Sequence, residues 1–213
     1  MNKIILIGGG GHCRACIDVI ENDGHYQIAG ILDIPEKNGG TVEGYPILGT
    51  DEDISRLVQK YNNFFITLGF VRHPNKRINI FNILKKTGVK LPVLISPRAY
   101  VSQKAKIAEG TIVMHDVLIN TGASIGHNVI VNSKALIEHD ARIGNHCHIS
   151  TQAVVNVGCV IGDNVLIGSG TVLKQGVEIV SGCIIGMGAV VTKSLKVPAV
   201  YIGNPLKKLE ERQ

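Results

Sequence analysis

Residues 137–150 read IEHDARIGNHCHIS and set three imidazoles, His139, His146 and His148, among aliphatic residues. An imidazole titrates near neutral pH, so it can take the proton from a nucleophile as that nucleophile attacks. A carboxylate beside the ring would hold its tautomer and support the positive charge that develops. Glu138 and Asp140 both flank His139. Three histidines this close also resemble a metal-ligand set, although zinc ligands must converge to about 2 Å from one point. The remaining reading is ornament on a repeat. A second stretch with chemical potential is GGGGH, residues 8–12, directly after the apolar run KIILI. Glycines there let backbone N–H groups approach an anion at a helix N-terminus, although a tight strand-to-helix turn would also want them.

The elements that carry these residues decide between the readings. Stepping by six from Ile95 to Val197 meets an aliphatic residue every time, through Val113, Val131, Ile137, Ile143, Ile149, Ile167 and Val191. Four residues after each stands a residue that is nearly always small or β-branched, such as Ala123, Ala135, Ala141, Cys147, Cys159 and Cys183. A period of six fits neither a helix nor a plain alternating strand, and it is the signature of a β-helix. Each hexapeptide then makes one short strand and a turn, with the large and the small residue both pointing into a narrow core. Gly, Asn and Asp recur after the large residue, as in Ile143-Gly144-Asn145, where left-handed backbone costs least.

In this register His139 stands two residues after an inward position, His146 three after, and His148 directly before one. None fills a core slot. Their phases differ, so convergence on a metal within one subunit is not expected, and His146 reads as a solvated turn residue. Cys147, Cys159 and Cys183 read as core filler, because a free cysteine behaves as a small hydrophobe.

Composition agrees with a layered interior. The 213 residues are 45% hydrophobic but only 4% aromatic, with no Trp and 25 Gly, so the core must come from aliphatic side chains of similar size. The net charge of +5 is spread without runs or aromatic interleaving, which argues against a nucleic-acid partner. The N-terminal apolar run stops at Gly8, far short of the roughly 20 residues of a membrane span, and no small-residue cleavage site follows it. A cytoplasmic protein with no membrane partner is therefore expected. Five Cys is an odd count at spacings read as irregular and without a CxxC pair, which argues against a disulfide framework and a zinc ribbon.

Before the repeat, residues 3–8 read as a buried strand and 13–21 as a helix, and a second strand, YQIAGILD, ends at Asp33. A further strand is expected in NNFFITLGF, with helices near residues 51–61 and 75–87 and LPVLIS closing the unit. The expected organisation is an α/β Rossmann-like βαβ domain over residues 1–94, followed by a parallel β-helix of hexapeptide repeats over 95–213. Gly8 and Gly10 have the spacing of a dinucleotide fingerprint, but Cys13 replaces its third glycine. About ninety residues also hold too few strands for a full dinucleotide domain.

A small βαβ unit with GxxGH after its first strand, followed by a hexapeptide solenoid containing IEHD, resembles a known group. This is the sialic-acid O-acetyltransferase and nucleotide-aminosugar N-acetyltransferase family, which includes the bacillosamine-pathway enzymes. The resemblance spans essentially the whole chain and implies a left-handed β-helix with three hexapeptides per coil. It implies acetyl-CoA as donor and no metal, with CoA lying in a groove between neighbouring solenoids of a homotrimer. His139 would be the general base and the residue after it, Asp140, the acidic partner. His148 would sit near the acetyl carbonyl, Gly168, Ser169, Gly186 and Met187 along CoA, and Lys207 or Lys208 at its phosphates. Gly10, Gly11, His12, Asp33 and Gly69 would hold the nucleotide of a sugar substrate. Asn132 matches a position near the attacking amine, and it is equally an ordinary turn residue. The chain departs from the family at Phe70, where Asn is common, at Ile34, where a second acidic residue sometimes stands, and at Leu206, where Ala is usual.

The implied activity is acetyl-CoA-dependent N-acetylation of a nucleotide-linked aminosugar, expected to be a UDP-4-amino-sugar, in bacterial glycan biosynthesis. The nearest rival is O-acetylation of a sialic acid by the same residues. A rival of another class is a noncatalytic, nucleotide-sensing solenoid, against which the IEHD stretch argues.

Overall fold

The computed structural model describes residues 2–70 and 73–209. These divide into two compact units, 1–97 and 98–213.

The first unit is an α/β sheet domain. Strand β1 (Asn2–Ile7) leads into helix α1 (Gly11–Asp23), then β2 (Tyr26–Leu32), β3 (Thr41–Val42) and β4 (Tyr45–Gly49). Helix α2 (Ile54–Leu57), β5 (Asn63–Ile66) and α3 (Asn75–Thr87) follow. The sheet order is β3-β4-β2-β1-β5, parallel except for the β3–β4 edge hairpin. Ile4, Ile5, Leu6 and Ile7 are all fully buried, because helices cover both faces of a parallel strand and the apolar run need not alternate. Ile80, Phe81 and Leu84 of α3 pack with Ile5, Ile7, Phe64 and Ile66 in one core. Gly24 and Gly88 end α1 and α3 in the left-handed conformation, the usual helix stop.

Three details differ from expectation. The segment read as a helix over 51–61 forms a 3₁₀ turn at Asp51–Asp53, started by a capping box between Thr50 and Asp53, and only one helical turn after it. The β3–β4 hairpin was not anticipated. Its two-residue turn has positive φ at Glu43 and Gly44, and strands this short carry no readable period. Cys13 and Cys16 form a CxxC pair on α1 that the reading of irregular spacings passed over. Both are buried free thiols, and burial pushes Cys13 up to about 11.

The second unit is a solenoid. Two-residue rungs recur every six residues from Tyr100–Val101 to Val190–Val191 and stack 18 residues apart into three parallel sheets. The second residue of a rung points inward, and Ile119, Val131, Ile137, Ile149 and Ile167 are fully buried. The small partners Ala123, Val129, Ala135, Ala141, Cys147, Ala153, Cys159 and Cys183 are at most 1% exposed. Each corner places a residue at positive φ. One corner uses Asn128, His146 and Asn164, another Asp116, Lys134 and Gln152.

The six-residue phase fails at its last step. Val197 was expected inward but is 52% exposed, and Ile184↔Val200 and Ile185↔Tyr201 pair instead. The chain still stacks there but two residues early, with Leu195 opposite Ile179 and Tyr201 opposite Ile185, so those two take the inward slots and Val197 is left outside before the hairpin of Val200–Ile202 and Lys207–Lys208.

Candidate active site

His139 follows the rung Leu136–Ile137 at a corner of the solenoid, with its side chain 45% exposed. Its Nδ1 lies 2.8 Å from Asp140 Oδ2. A carboxylate only accepts, so in the neutral ring this bond puts the proton on Nδ1 and leaves Nε2 as a proton acceptor. Glu138 turns elsewhere. Asn120 Nδ2 donates to Glu138 Oε2 at 2.9 Å, and the His139 backbone N–H donates to the same oxygen at 3.3 Å. Glu138 therefore holds the main chain of His139, and Asp140 holds its imidazole.

Asp140 adopts φ 61° at a corner position that Gly122 fills in the coil before and Gly158 and Gly176 in the coils after. Left-handed backbone costs a residue with a Cβ about 1–2 kcal/mol, less for Asp than for most. Left-handed residues with side chains also stand at the other two corners, so what sets Asp140 apart is its bond to the imidazole and not its backbone.

His148 opens the rung His148–Ile149 and is half-buried, flanked in its sheet by Ile130 and Leu166. Asn132 Oδ1 accepts the Ser133 N–H at 2.8 Å, an ordinary turn bond. His146 is a turn residue, as expected, but is only partly solvated. It is half-buried at a corner with φ 56°, and its Nδ1 lies 2.9 Å from Asn128 Nδ2 on the preceding coil. Among the described residues no three His, Cys, Asp or Glu side chains gather as a metal site would require.

Gly168 and Gly186 lie in successive coils. A Cβ on Gly168 would stand 2.5 Å from Met187 N and 2.7 Å from Ile185 O, so close coil stacking alone demands glycine there. Ser169 and Met187 beside them are exposed, Met187 by 81%. Lys207 and Lys208 line an open pocket of about 640 Å³ with Ile202, Gly203, Asn204 and Pro205.

In the first unit the candidate nucleotide residues gather at the C-terminal ends of β1, β2 and β5, the edge where open α/β sheets bind ligands. A Cβ on Gly8 would meet Leu68 Cδ2 at 2.4 Å, and one on Gly9 would meet Asp33 Oδ2 at 2.5 Å. Gly10 and Gly11 would meet nothing within 4 Å, so packing does not explain them. They border the start of α1, whose first turn has no acidic residue and no side-chain cap, and its N–H groups suit an anion. Burial pushes the Asp33 carboxyl up, but Lys37 at 2.7 Å and the N–H groups of Ile34 and Gly9 outweigh it and hold the group below the usual range. His12 Nε2 lies 3.5 Å from Cys16 Sγ, and Gly69 faces the His12 side chain, which a Cβ there would meet only at an ordinary contact distance of 3.4 Å.

Two residues that sequence reasoning missed tie these loops together. Thr67 Oγ1 donates to the carbonyls of Ile7 and Gly8, at 3.0 and 2.6 Å. Arg77, 1% exposed, donates from Nη1 to Ile66 O at 2.5 Å and Leu68 O at 2.9 Å. Burial pushes its pKa down to about 10. An Arg in the polar-looking start of α3 gives no sequence signal of burial.

The PglD N-terminal domain matches residues 3–84, and the bacterial transferase hexapeptide (six repeats) matches 158–193. PerB from Caulobacter crescentus, solved with CoA and GDP-perosamine, is 30% identical, with a TM-score of 0.91 over 99% of this chain and 98% of that one. The chain belongs to the hexapeptide-repeat sugar acetyltransferases that carry a PglD-type N-terminal domain. The acetyltransferase domain of PglB from Neisseria gonorrhoeae FA1090, in complex with acetyl coenzyme A, is 31% identical with a TM-score of 0.89, over 98% of this chain and 100% of that one. Two histidine mutants of the Caulobacter crescentus perosamine N-acetyltransferase, one to Asn and one to Ala, were also solved with CoA and GDP-perosamine. WeeI from Acinetobacter baumannii AYE, 24% identical with a TM-score of 0.83, shares the fold. Curated protein sequences yield no match. The solenoid of this sugar acetyltransferase is accordingly a left-handed parallel β-helix.

Proposed function

We propose that this acetyltransferase moves the acetyl group of acetyl-CoA onto the amine of a nucleotide-linked aminosugar, with His139 as general base. The observation that carries the reading is the 2.8 Å bond between His139 Nδ1 and the left-handed Asp140, which leaves Nε2 as a proton acceptor. The amine nitrogen attacks the thioester carbonyl carbon while Nε2 takes its proton. The tetrahedral oxyanion collapses, the C–S bond breaks, and the departing sulfur receives the proton from the imidazolium. Free CoA and the N-acetyl sugar result. Asp140 stabilises the imidazolium throughout. His148 is assigned to the oxyanion, where an N–H donor is worth most as charge develops. The structures of PerB with GDP-perosamine and of the PglB domain with acetyl coenzyme A support both substrate classes.

The donor residues are Gly168, Ser169, Gly186, Met187 and Lys207, and the nucleotide residues are Gly10, Gly11, His12, Asp33 and Gly69. Asn132 is placed near the amine. The protein acts as a homotrimer in the cytoplasm, where acetyl-CoA is drawn on. One sheet of the solenoid turns an apolar ladder outward, Tyr100, Leu118, Leu136, Val154, Val172 and Val190, with Tyr100 63% exposed in the single chain. His139 stands at the edge of that ladder, so a second copy of the chain covering it would wall the site. Among the described residues no helix is long and apolar enough to cross a membrane.

The test is thiol release from acetyl-CoA over a panel of UDP-, GDP- and dTDP-linked aminosugars, with CMP-sialic acid and free sialic acid included. Rapid turnover of one aminosugar is expected and names the nucleotide. Turnover of the sialic acids alone would replace N- by O-acetylation, and no turnover at all would favour the noncatalytic solenoid.

A further inference from the structure

The corner that carries Asp140 holds a second piece of the machinery. Positions 122, 140, 158 and 176 stack one coil apart, and all are left-handed, with φ of 71°, 61°, 64° and 68°. At Gly158 and Gly176 a Cβ would meet nothing within 4 Å, so the backbone angle alone accounts for glycine. Gly122 is different. A Cβ there would lie 2.5 Å from Asp140 Oδ1 and 3.5 Å from its Cγ. The other carboxylate oxygen, Oδ2, is the one bonded to His139. The carboxylate thus lies back over the bare Cα of Gly122 while it reaches the imidazole.

We infer that Gly122 is a positioning residue for acetyl transfer: its missing side chain is the seat of the Asp140 carboxylate, and that seat sets the His139–Asp140 bond. This rests on the assignment of His139 as base. A methyl group at 122 would drive Oδ1 back by about 1 Å to reach ordinary contact. The oxygen ends a flexible side chain, so the coil still closes and the displacement is taken up in the angle between carboxylate and ring. Misplacing a reacting group by about 1 Å costs up to about a hundredfold in rate. Substrate binding is untouched, because neither Gly122 nor Asp140 is assigned to hold a ligand.

Gly158 supplies a matched control, since Gly158→Ala carries the same left-handed strain in the same corner without a neighbour to displace. Gly122→Ala is expected to lower kcat about tenfold to a hundredfold with both KM values within about twofold. Gly158→Ala keeps kcat, and the two proteins melt at similar temperatures. In an Asp140→Ala background, adding Gly122→Ala lowers the residual kcat no further, because the group it displaces is gone. Equal kcat in the two glycine variants would overturn the proposal, as would a further loss in the Asp140→Ala background. If Gly122→Ala melts well below Gly158→Ala, the decisive measurement is its melting temperature with Asp140→Gly added. Recovery to the Gly158→Ala value supports the seat, and no recovery overturns it. Full activity in both His139→Ala and Asp140→Ala would instead remove the base assignment, whatever Gly122 does.

Discussion

Replacing Arg77 by Met tests whether the nucleotide loops are held from inside the first unit. The substitution keeps a long apolar stem and removes the guanidinium that holds the carbonyls of Ile66 and Leu68. Each hydrogen bond to a charged group is worth about 1.5–3 kcal/mol, so about 3–6 kcal/mol of favourable interaction is lost. Removing a buried cation recovers part of this. Burial depresses the Arg77 guanidinium from its ordinary value to about 10, which corresponds to about 3 kcal/mol at about 1.4 kcal/mol per unit. The net loss is then about 0–3 kcal/mol, borne by the turn over residues 66–69 that carries Gly69. KM for the nucleotide sugar should rise about tenfold, equivalent to about 1.4 kcal/mol. KM for acetyl-CoA should stay constant, because the donor residues belong to the solenoid. Thiol-release kinetics with each substrate varied in turn measures both, and amide hydrogen exchange at residues 67–69 reports the loosening directly. Arg77→Lys should recover part, because both carbonyls are held from the one nitrogen Nη1 and an ammonium also carries several N–H donors on a single nitrogen. An Arg77→Met protein with unchanged nucleotide-sugar KM and unchanged exchange would refute the clamp, and so would an equal rise in both KM values.

His139→Ala should lower kcat by about 10²–10⁴ with the melting temperature and oligomer size unchanged, since the side chain lies off the inward positions; a destabilised protein would contradict that placement. Val131→Asp places an unpaired carboxylate where the native residue is fully buried, at a cost of several kcal/mol, and a soluble variant melting normally would mean the inward register is wrong. Asp33 has its carboxyl held below the usual range, so the stability it contributes is present above the ordinary carboxylate pKa of about 4 and lost as pH falls through the lowered folded value. The gap in urea midpoint between wild type and Asp33→Asn should therefore shrink on acidification below about pH 4, and a gap constant from pH 6 to about pH 3 would refute the linkage.

The hexapeptide register was open to reading because it is local and repeated. A large aliphatic and a small residue recur at fixed offsets, and the structure buries Val113, Val131, Ile149, Ile167 and Val191 in that phase. It broke at Val197, where the letters keep the period but the last stacking is two residues short and gives the inward slots to Leu195 and Tyr201. In the first unit the apolar run of β1 and the span of α3 were equally plain, whereas the edge hairpin over residues 41–49 is too short to show a period.

For the site, the sequence by itself determined the chemistry available: an imidazole flanked by two carboxylates on a scaffold whose core slots exclude it. Spacing did not choose between Glu138 and Asp140, and resemblance to a family did. Tertiary structure shows the physical difference between them. Asn120, one coil away, captures Glu138, and the left-handed turn at residue 140 carries the other carboxylate to Nδ1. The same holds for the residues that sequence reasoning missed. Thr67 acts on carbonyls 59 and 60 positions away, Gly9 makes room for Asp33, and Gly122 makes room for Asp140. Periodicity encodes which way a side chain points, but which groups meet across coils and strand ends depends on distances that only the folded chain sets.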